Sequence, residues 1–319
     1  MSARLLITRP LPEAVLAAAR AGFDVVARDA TSPLSDAELR SSLREFDAVL
    51  PTLGDAYDAG VFADVPAPRC RMLANFGVGT NHIDVAAARG AGLVVTNTPG
   101  AVTDATADIA VTLMLMSARR AGEGERLVRG SGWEGWHPTQ MLGLHVTGKT
   151  AGIVGMGRIG KAIARRCHHG FGMRVVFYNR SPVADPGVPA QQLDSLAAVM
   201  AAADVVLVAV PGGPATRHLI DAAALAAMRP HGHLVNVSRG DVIDEAALIA
   251  ALESGRIGGA GLDVYEREPE VPARLRALEN AVLLPHLGTA ALEVRTAMGL
   301  MAVDNLTEFF AGRAPPNTV

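Results

Sequence analysis

The sequence predicts an α/β protein built from two doubly wound parallel-sheet domains. Three observations lead to that class. The 319 residues suit roughly two domains of about 150 residues each. Short β-branched runs alternate with alanine-rich helical stretches along nearly the whole length. Half the residues are apolar and 19% are charged, which supplies large cores and carries no signature of disorder.

Residues 4–8 read as a strand and residues 12–21 as a helix opened by proline, whose fixed φ suits a first turn. Residues 24–27, 48–50, 71–76 and 93–97 read as further strands, with helical patterns between most of them, such as 36–45. Residues 103–119 form a long, mostly apolar helix, expected to lie buried between layers. A loop rich in Gly and Trp is expected over 122–148. A second series then alternates strands at 150–154, 174–178, 204–210, 233–237 and 259–264 with helices at 158–169, 193–202, 222–228 and 245–254. A last strand at 282–284 runs into Pro285-His286, and a closing helix spans about 290–311.

Composition narrows the function. With 29 Lys+Arg against 32 Asp+Glu the net charge is −3, which argues against nucleic acid as a partner, because phosphate binding needs a basic surface. Cys70 and Cys167 are too few for a disulfide framework or a cysteine-rich zinc site, and no histidine pair has metal-ligand spacing. The opening ten residues lack a secretory apolar run. The longest strongly apolar stretch, 109–118, falls short of the ~20 residues that span a bilayer. A cytoplasmic protein without membrane partners is the expectation.

Two phosphate-loop patterns compete. Gly155-Met156-Gly157-Arg158-Ile159-Gly160 is G-x-G-x-x-G, preceded by an apolar strand and followed by a helical pattern. In that setting the first glycine permits the turn, the second admits a pyrophosphate, and the third lets helix and strand pack closely. Gly143-Leu144-His145-Val146-Thr147-Gly148-Lys149-Thr150 fits the loop of nucleotide triphosphatases, but a strand follows where that loop needs a helix. The first pattern is preferred.

An acidic residue about 20 positions beyond the loop would bind the ribose of NAD and repel a 2′-phosphate. Here the strand ends in Asn179-Arg180-Ser181, with a guanidinium and a hydroxyl and no carboxylate. This favours NADP, with NAD possible, and with Arg180 pairing the phosphate. An ordinary solvated arginine at a strand end is the competing reading.

Asn236-Val237-Ser238-Arg239-Gly240, Gly261-Leu262-Asp263-Val264-Tyr265-Glu266-Arg267-Glu268-Pro269 and Leu284-Pro285-His286-Leu287-Gly288-Thr289-Ala290 follow in order. Together with the glycine loop, Asn75-Phe76-Gly77-Val78-Gly79-Thr80-Asn81-His82-Ile83-Asp84 and Asn97-Thr98-Pro99-Gly100, they resemble the D-isomer-specific 2-hydroxyacid dehydrogenases over essentially the whole chain. Trp133-Glu134-Gly135-Trp136-His137-Pro138 and the missing NAD carboxylate look most like the glyoxylate/hydroxypyruvate reductase branch.

The resemblance implies a Rossmann cofactor domain over about 99–287, and a flavodoxin-like substrate domain made of about 1–98 and 288–319. Substrate would bind between them, with closure excluding water. It also implies reduction of a small 2-oxo acid to the D-2-hydroxy acid. His286 would be the general acid, since imidazole exchanges protons near neutral pH. Glu268 would hold the ring and stabilise its protonated form. Arg239 would bind the substrate carboxylate and polarise the carbonyl.

By the same resemblance, Asp263 would bind the nicotinamide carboxamide. Arg158 and Ile159 would lie against the pyrophosphate, Val210, Pro211 and Thr216 along the adenosine, and Gly288 and Thr289 near the nicotinamide, with Val237 and Ser238 also binding the cofactor. Val78 and Gly79 would offer backbone N–H groups to the substrate, and Leu53 and Gly54 would close its pocket. A homodimer is implied, with Trp136 either reaching the neighbouring subunit or anchoring a surface loop. Two alternatives stay open: a dehydrogenase for another D-2-hydroxy acid, and a dinucleotide-sensing module without turnover.

Overall fold

A computed structural model describes residues 2–319. The chain divides into two units, one running to Val102 and resuming over Ala290–Val319, the other spanning Thr103–Thr289. The divisions lie a few residues beyond the expected 98/99 and 287/288, because the helix opening at Thr103 packs on the strands of the second unit.

In the first unit, strands β1 (Arg4–Ile7), β2 (Asp24–Ala27), β3 (Ala48–Leu50), β4 (Met72–Ala74) and β5 (Val94–Thr96) form a parallel sheet in the order β2-β1-β3-β4-β5. This is the flavodoxin-like order. Side chains alternate between two cores, as a two-residue period requires. Leu5, Ile7, Leu50 and Met72 face α1 (Glu13–Gly22) and the closing helix (Leu292–Phe310). Leu6, Val49 and Leu73 face α2 (Asp36–Glu45), α3 (Ala59–Ala63) and α4 (Val85–Gly90).

The second unit is a seven-stranded parallel sheet in the order β12-β11-β10-β9-β6-β7-β8. Its strands are β6 (Thr150–Val154), β7 (Arg174–Tyr178), β8 (Ala190–Gln192), β9 (Val205–Val208), β10 (His233–Asn236), β11 (Gly259–Leu262) and β12 (Ala281–Leu283). The order reverses between β6 and β9, the switch point at which doubly wound sheets take ligands. Helices α5 (Thr103–Ala118) and α7 (Arg158–Arg165) cover one face. Helices α8 (Leu196–Ala202), α9 (Ala222–Ala227) and α10 (Glu245–Glu253) cover the other. Helix α5 is buried along Ala107, Ala110, Leu113 and Met114; it sits so close to β11 that a Cβ on Gly261 would lie 2.8 Å from that of Leu113.

Several elements differ from the sequence reading. The expected loop over 122–148 begins as a helix, α6 (Ala121–Arg129), none of whose residues is buried. Two glycines masked it, while Arg120–Glu123 and Glu125–Arg129 pairs along its surface support it. The helix expected to run to 169 becomes a π-helical turn at Arg166–Gly170. Helix α8 starts later than expected, at Leu196, because the Ser195 hydroxyl accepts the Ala198 N–H as its cap. Thr150 opens β6, so Lys149 leads into a strand and the triphosphatase reading fails. No helix among the described residues is long and apolar enough to cross a membrane, and both cysteines are free and buried.

His233, at the start of β10, is buried against Ser117, whose hydroxyl lies 2.8 Å from Nδ1. Burial, helped by the nearby His231, pulls its pKa down to about 4. The unfolded chain, with an ordinary histidine near 6.5, therefore binds more protons between those values, and stability falls as pH drops through that window. Relative to His233→Gln, the wild type should lose up to about 3 kcal/mol between pH ~6.5 and ~4. Chemical unfolding of both proteins across this range checks it; parallel curves would place the histidine in water.

Candidate active site

The glycine loop leaves β6 at the switch point and opens α7. Gly155 sits at φ +95°, where a Cβ would also lie 2.8 Å from the Ala209 carbonyl oxygen. A Cβ at Gly160 would collide with the Gly155 carbonyl, so the third glycine brings helix and turn into contact. At Gly157 a Cβ would meet nothing within 4 Å. The second glycine thus faces open space at the N-terminus of α7, whose first-turn amides lack intrahelical partners and favour an anion. This cradle fits a dinucleotide pyrophosphate, with Arg158 and Ile159 on the first turn of α7 and Val210 packed over Gly155. In the next loop the Thr216 hydroxyl donates to the Pro211 carbonyl, 2.7 Å away, and so fixes that loop's shape.

At the end of β7, Asn179 Oδ1 accepts the Met156 N–H at 3.2 Å, which ties this strand end to the glycine loop. Arg180 and Ser181 follow, both exposed.

Arg239, Glu268 and His286 stand beyond the C-terminal ends of β10, β11 and β12. His286 Nδ1 lies 2.8 Å from a Glu268 carboxylate oxygen. A carboxylate only accepts, so this bond places a proton on Nδ1 and leaves Nε2 for other partners. Burial pushes the Glu268 carboxyl up, but the His286 hydrogen bond and charge, the Tyr265 N–H and the Arg239 charge outweigh it and hold the pKa below the usual value. Burial lowers the pKa of Arg239, against the charges of Glu268 and Asp241; its guanidinium remains a cation at neutral pH.

His286 has φ +56°, a left-handed conformation that costs a non-glycine residue energy unless its surroundings hold it. Asp263 holds it. The Asp263 carbonyl accepts the His286 N–H at 2.9 Å, and its two carboxylate oxygens accept the N–H groups of Leu287 (2.6 Å) and Gly288 (2.8 Å). The Thr106 hydroxyl adds a bond to the Gly288 carbonyl at 3.2 Å, next to Thr289. Burial raises the Asp263 pKa, opposed by those two amides.

Sequence reasoning missed this structural task of Asp263, and it missed Tyr265 altogether. The Tyr265 N–H donates to Glu268 Oε1 at 3.0 Å, while its hydroxyl donates to the Leu284 carbonyl at 2.9 Å, two residues before His286. Gly240 lies so close that a Cβ there would collide with the Tyr265 carbonyl, which sets Arg239 against the same strut. Asn236 Nδ2 bonds the Arg239 carbonyl at 2.9 Å, and its Oδ1 accepts the Ser238 hydroxyl at 2.7 Å, one residue after Val237.

In the first unit, Asn75 Nδ2 donates to the carbonyls of Gly77 (3.0 Å) and Gly79 (3.1 Å), and Asn97 Nδ2 to that of Val78 (2.9 Å). A trans peptide points its N–H opposite its carbonyl, so these bonds turn the amides of Val78 and Gly79 away from the Asn75 and Asn97 side chains. Leu53 is held by Arg9, which donates to its carbonyl at 2.6 Å, and Gly54 follows at φ +97°. The buried Asp55 anchors that turn through the Thr8 hydroxyl (2.6 Å) and the Leu34 and Thr52 amides. Among the described residues no cluster of three or more His, Cys, Asp or Glu forms a metal site.

Asp263→Ala leaves the Leu287 and Gly288 amides without their acceptor. It should cost about 2–4 kcal/mol in denaturant unfolding, and a loss below ~1 kcal/mol would mean that water replaces the carboxylate.

The profile of the D-isomer-specific 2-hydroxyacid dehydrogenase NAD-binding domain matches residues 111–288. A glyoxylate reductase of Thermococcus kodakarensis is 41% identical over 325 aligned positions, covering 100% of this chain and 96% of that protein. A glyoxylate reductase of Korarchaeum cryptofilum is 42% identical with the same coverage. The crystal structure of an NADPH-dependent glyoxylate/hydroxypyruvate reductase from Sinorhizobium meliloti, in complex with NADP and malonate, superposes with a TM-score of 0.88 at 34% identity, covering 100% of this chain and 97% of that one. With matches along its whole length, the chain belongs to the D-isomer-specific 2-hydroxyacid dehydrogenase family, and its second unit contains that family's NAD-binding domain.

Proposed function

We propose that this protein reduces glyoxylate to glycolate, or hydroxypyruvate to the D-2-hydroxy acid glycerate, with NADPH preferred over NADH. The observation that carries the reading is the Glu268–His286 hydrogen bond, standing in the same unit and at the same edge of the same sheet as the glycine cradle. Names borne by the relatives, glyoxylate reductase in two cases, support the substrate class. NADP bound to the Sinorhizobium meliloti protein and the absence of a carboxylate at 179–181 support the cofactor.

When bound, the reduced nicotinamide supplies a hydride to the substrate carbonyl carbon. His286, protonated on both ring nitrogens, gives the Nε2 proton to the carbonyl oxygen. Glu268 keeps hold of Nδ1 throughout, so the neutral ring left behind has its acceptor nitrogen in place for the reverse reaction. The Arg239 fork binds the substrate carboxylate and withdraws electron density from the adjacent carbonyl. In the first unit, the amides of Val78 and Gly79 are assigned to the substrate carboxylate, and Leu53 and Gly54 to the closing of the substrate pocket. Val237, Ser238, Asp263, Gly288 and Thr289 are assigned to the nicotinamide end; each Asp263 oxygen retains a lone pair for a carboxamide N–H beside the bonds it already accepts. Val210, Pro211 and Thr216 are assigned to the adenosine, and Asn179, Arg180 and Ser181 to its 2′-phosphate.

We also assign a cytoplasmic, homodimeric state. Trp136 is 78% exposed, and Val128, Trp133 and Leu142 are exposed with it, an apolar group that a second copy would cover. Sedimentation should give twice the chain mass, and a monomer at micromolar concentration would contradict the dimer.

A panel of 2-oxo acids tests the activity. Glyoxylate and hydroxypyruvate should oxidise NADPH fastest, and no oxidation with any acid would overturn the reading. His286→Ala should lower turnover by about two to four orders of magnitude with little change in cofactor affinity. Arg180→Ala should weaken NADPH about 10- to 100-fold and NADH far less; equal losses would remove the phosphate contact.

A further inference from the structure

We propose that Gln192 is a specificity-positioning residue, clasping the loop after β7 so that Arg180 is presented to the cofactor's 2′-phosphate. This rests on the NADP reading above. Gln192 ends β8, the edge strand of the second sheet, opposite Phe177 in parallel register. Its side-chain Nε2 donates to the carbonyls of Asn179 and Ser181, both at 3.2 Å, and its Oε1 accepts the Val183 N–H at 3.0 Å. One carboxamide thus engages three backbone groups across five residues, with Arg180 between the two bonded carbonyls.

The chemistry of the clasp is specific to an amide. Two carbonyls need two donors and one N–H needs one acceptor, and a glutamine end carries that set. Asn179 Nδ2 adds a bond to the Ser181 carbonyl at 2.9 Å, while Asn179 Oδ1 reaches the Met156 amide of the glycine loop. The loop is therefore fixed at one end to the edge strand and at the other to the pyrophosphate cradle. Carbonyls of Asn179 and Ser181 are turned inward, and Arg180 and Ser181 are left exposed. An arginine on a slack loop would lose rotamer and backbone entropy on meeting a phosphate; on a clasped loop part of that loss is already incurred on folding. The contribution falls on the phosphate-bearing cofactor, because NADH carries no 2′-phosphate for Arg180 to pair.

Gln192→Met keeps an unbranched side chain of similar length and removes all three hydrogen bonds. Dissociation constants for NADPH and NADH, measured by fluorescence titration on the full chain, should show their ratio rising about 3- to 10-fold toward NADH. In an Arg180→Ala background the same substitution should leave the ratio within two-fold of that background. A Gln192→Met protein that weakens both cofactors equally, or neither, overturns the proposal. So does a full shift of the ratio in the Arg180→Ala background. If Arg180→Ala alone leaves the ratio unchanged, the phosphate reading itself fails. If Arg180→Ala shifts it and Gln192→Met does not, only the clasp falls.

Discussion

The 2.8 Å bond between His286 Nδ1 and Glu268 is the interaction on which the rest of the site depends. It sets the tautomer, leaves Nε2 for other partners, and places a carboxylate behind the ring. Neither partner could hold the other from a slack loop, since a carboxylate–imidazole contact at partial exposure contributes little without preorganisation. Preorganisation comes from the backbone. Asp263 accepts three consecutive amides around His286 and keeps that residue at a positive φ it would otherwise leave. Tyr265 ties the Glu268 carboxylate to the chain entering His286. Gly240 lets the Arg239 segment close on the Tyr265 carbonyl. Three side chains that follow three adjacent strands are thereby locked to one another through main-chain contacts.

The parallel sheet explains why these groups meet. In-register pairs Asn236↔Leu262 and Leu262↔Leu283 bring the ends of β10, β11 and β12 level, so loops distant in sequence leave the sheet side by side. The glycine cradle leaves the same edge from β6, across the switch point. Its N–H groups and the positive end of α7 favour anionic phosphates. The glycine cradle and the loops carrying Arg239, Glu268 and His286 thus share one sheet edge of the second unit; within the first unit, Asn75, Asn97 and Arg9 tie back loop carbonyls.

Much of this was legible in the sequence because it is encoded locally. The glycine spacing between an apolar strand and a helix, and the Arg-Gly, Glu-Pro and Pro-His segments after strands, are short-range patterns. The sheets were legible from alternation of strand and helix. What escaped depends on neighbours that sequence order does not supply. Asp263 was assigned only to a cofactor, because its bonds to Leu287 and Gly288 require β11 and β12 to be adjacent. Tyr265 reads as an ordinary core aromatic until its hydroxyl is seen on Leu284. Helix α6 was lost among glycines, since its support comes from surface charge pairs and it buries no apolar stripe. Strand β8 is three residues long and polar, and only its pairing with β7 makes it a strand.

A double-mutant cycle between Glu268→Gln and His286→Ala, read as turnover with glyoxylate and saturating NADPH, tests the central claim most directly. Groups that act as one unit are strongly non-additive. The double variant should therefore turn over no more slowly than His286→Ala alone, since the carboxylate has no imidazole left to orient. Additive losses in the double variant would show that Glu268 and His286 work independently, and would contradict the account.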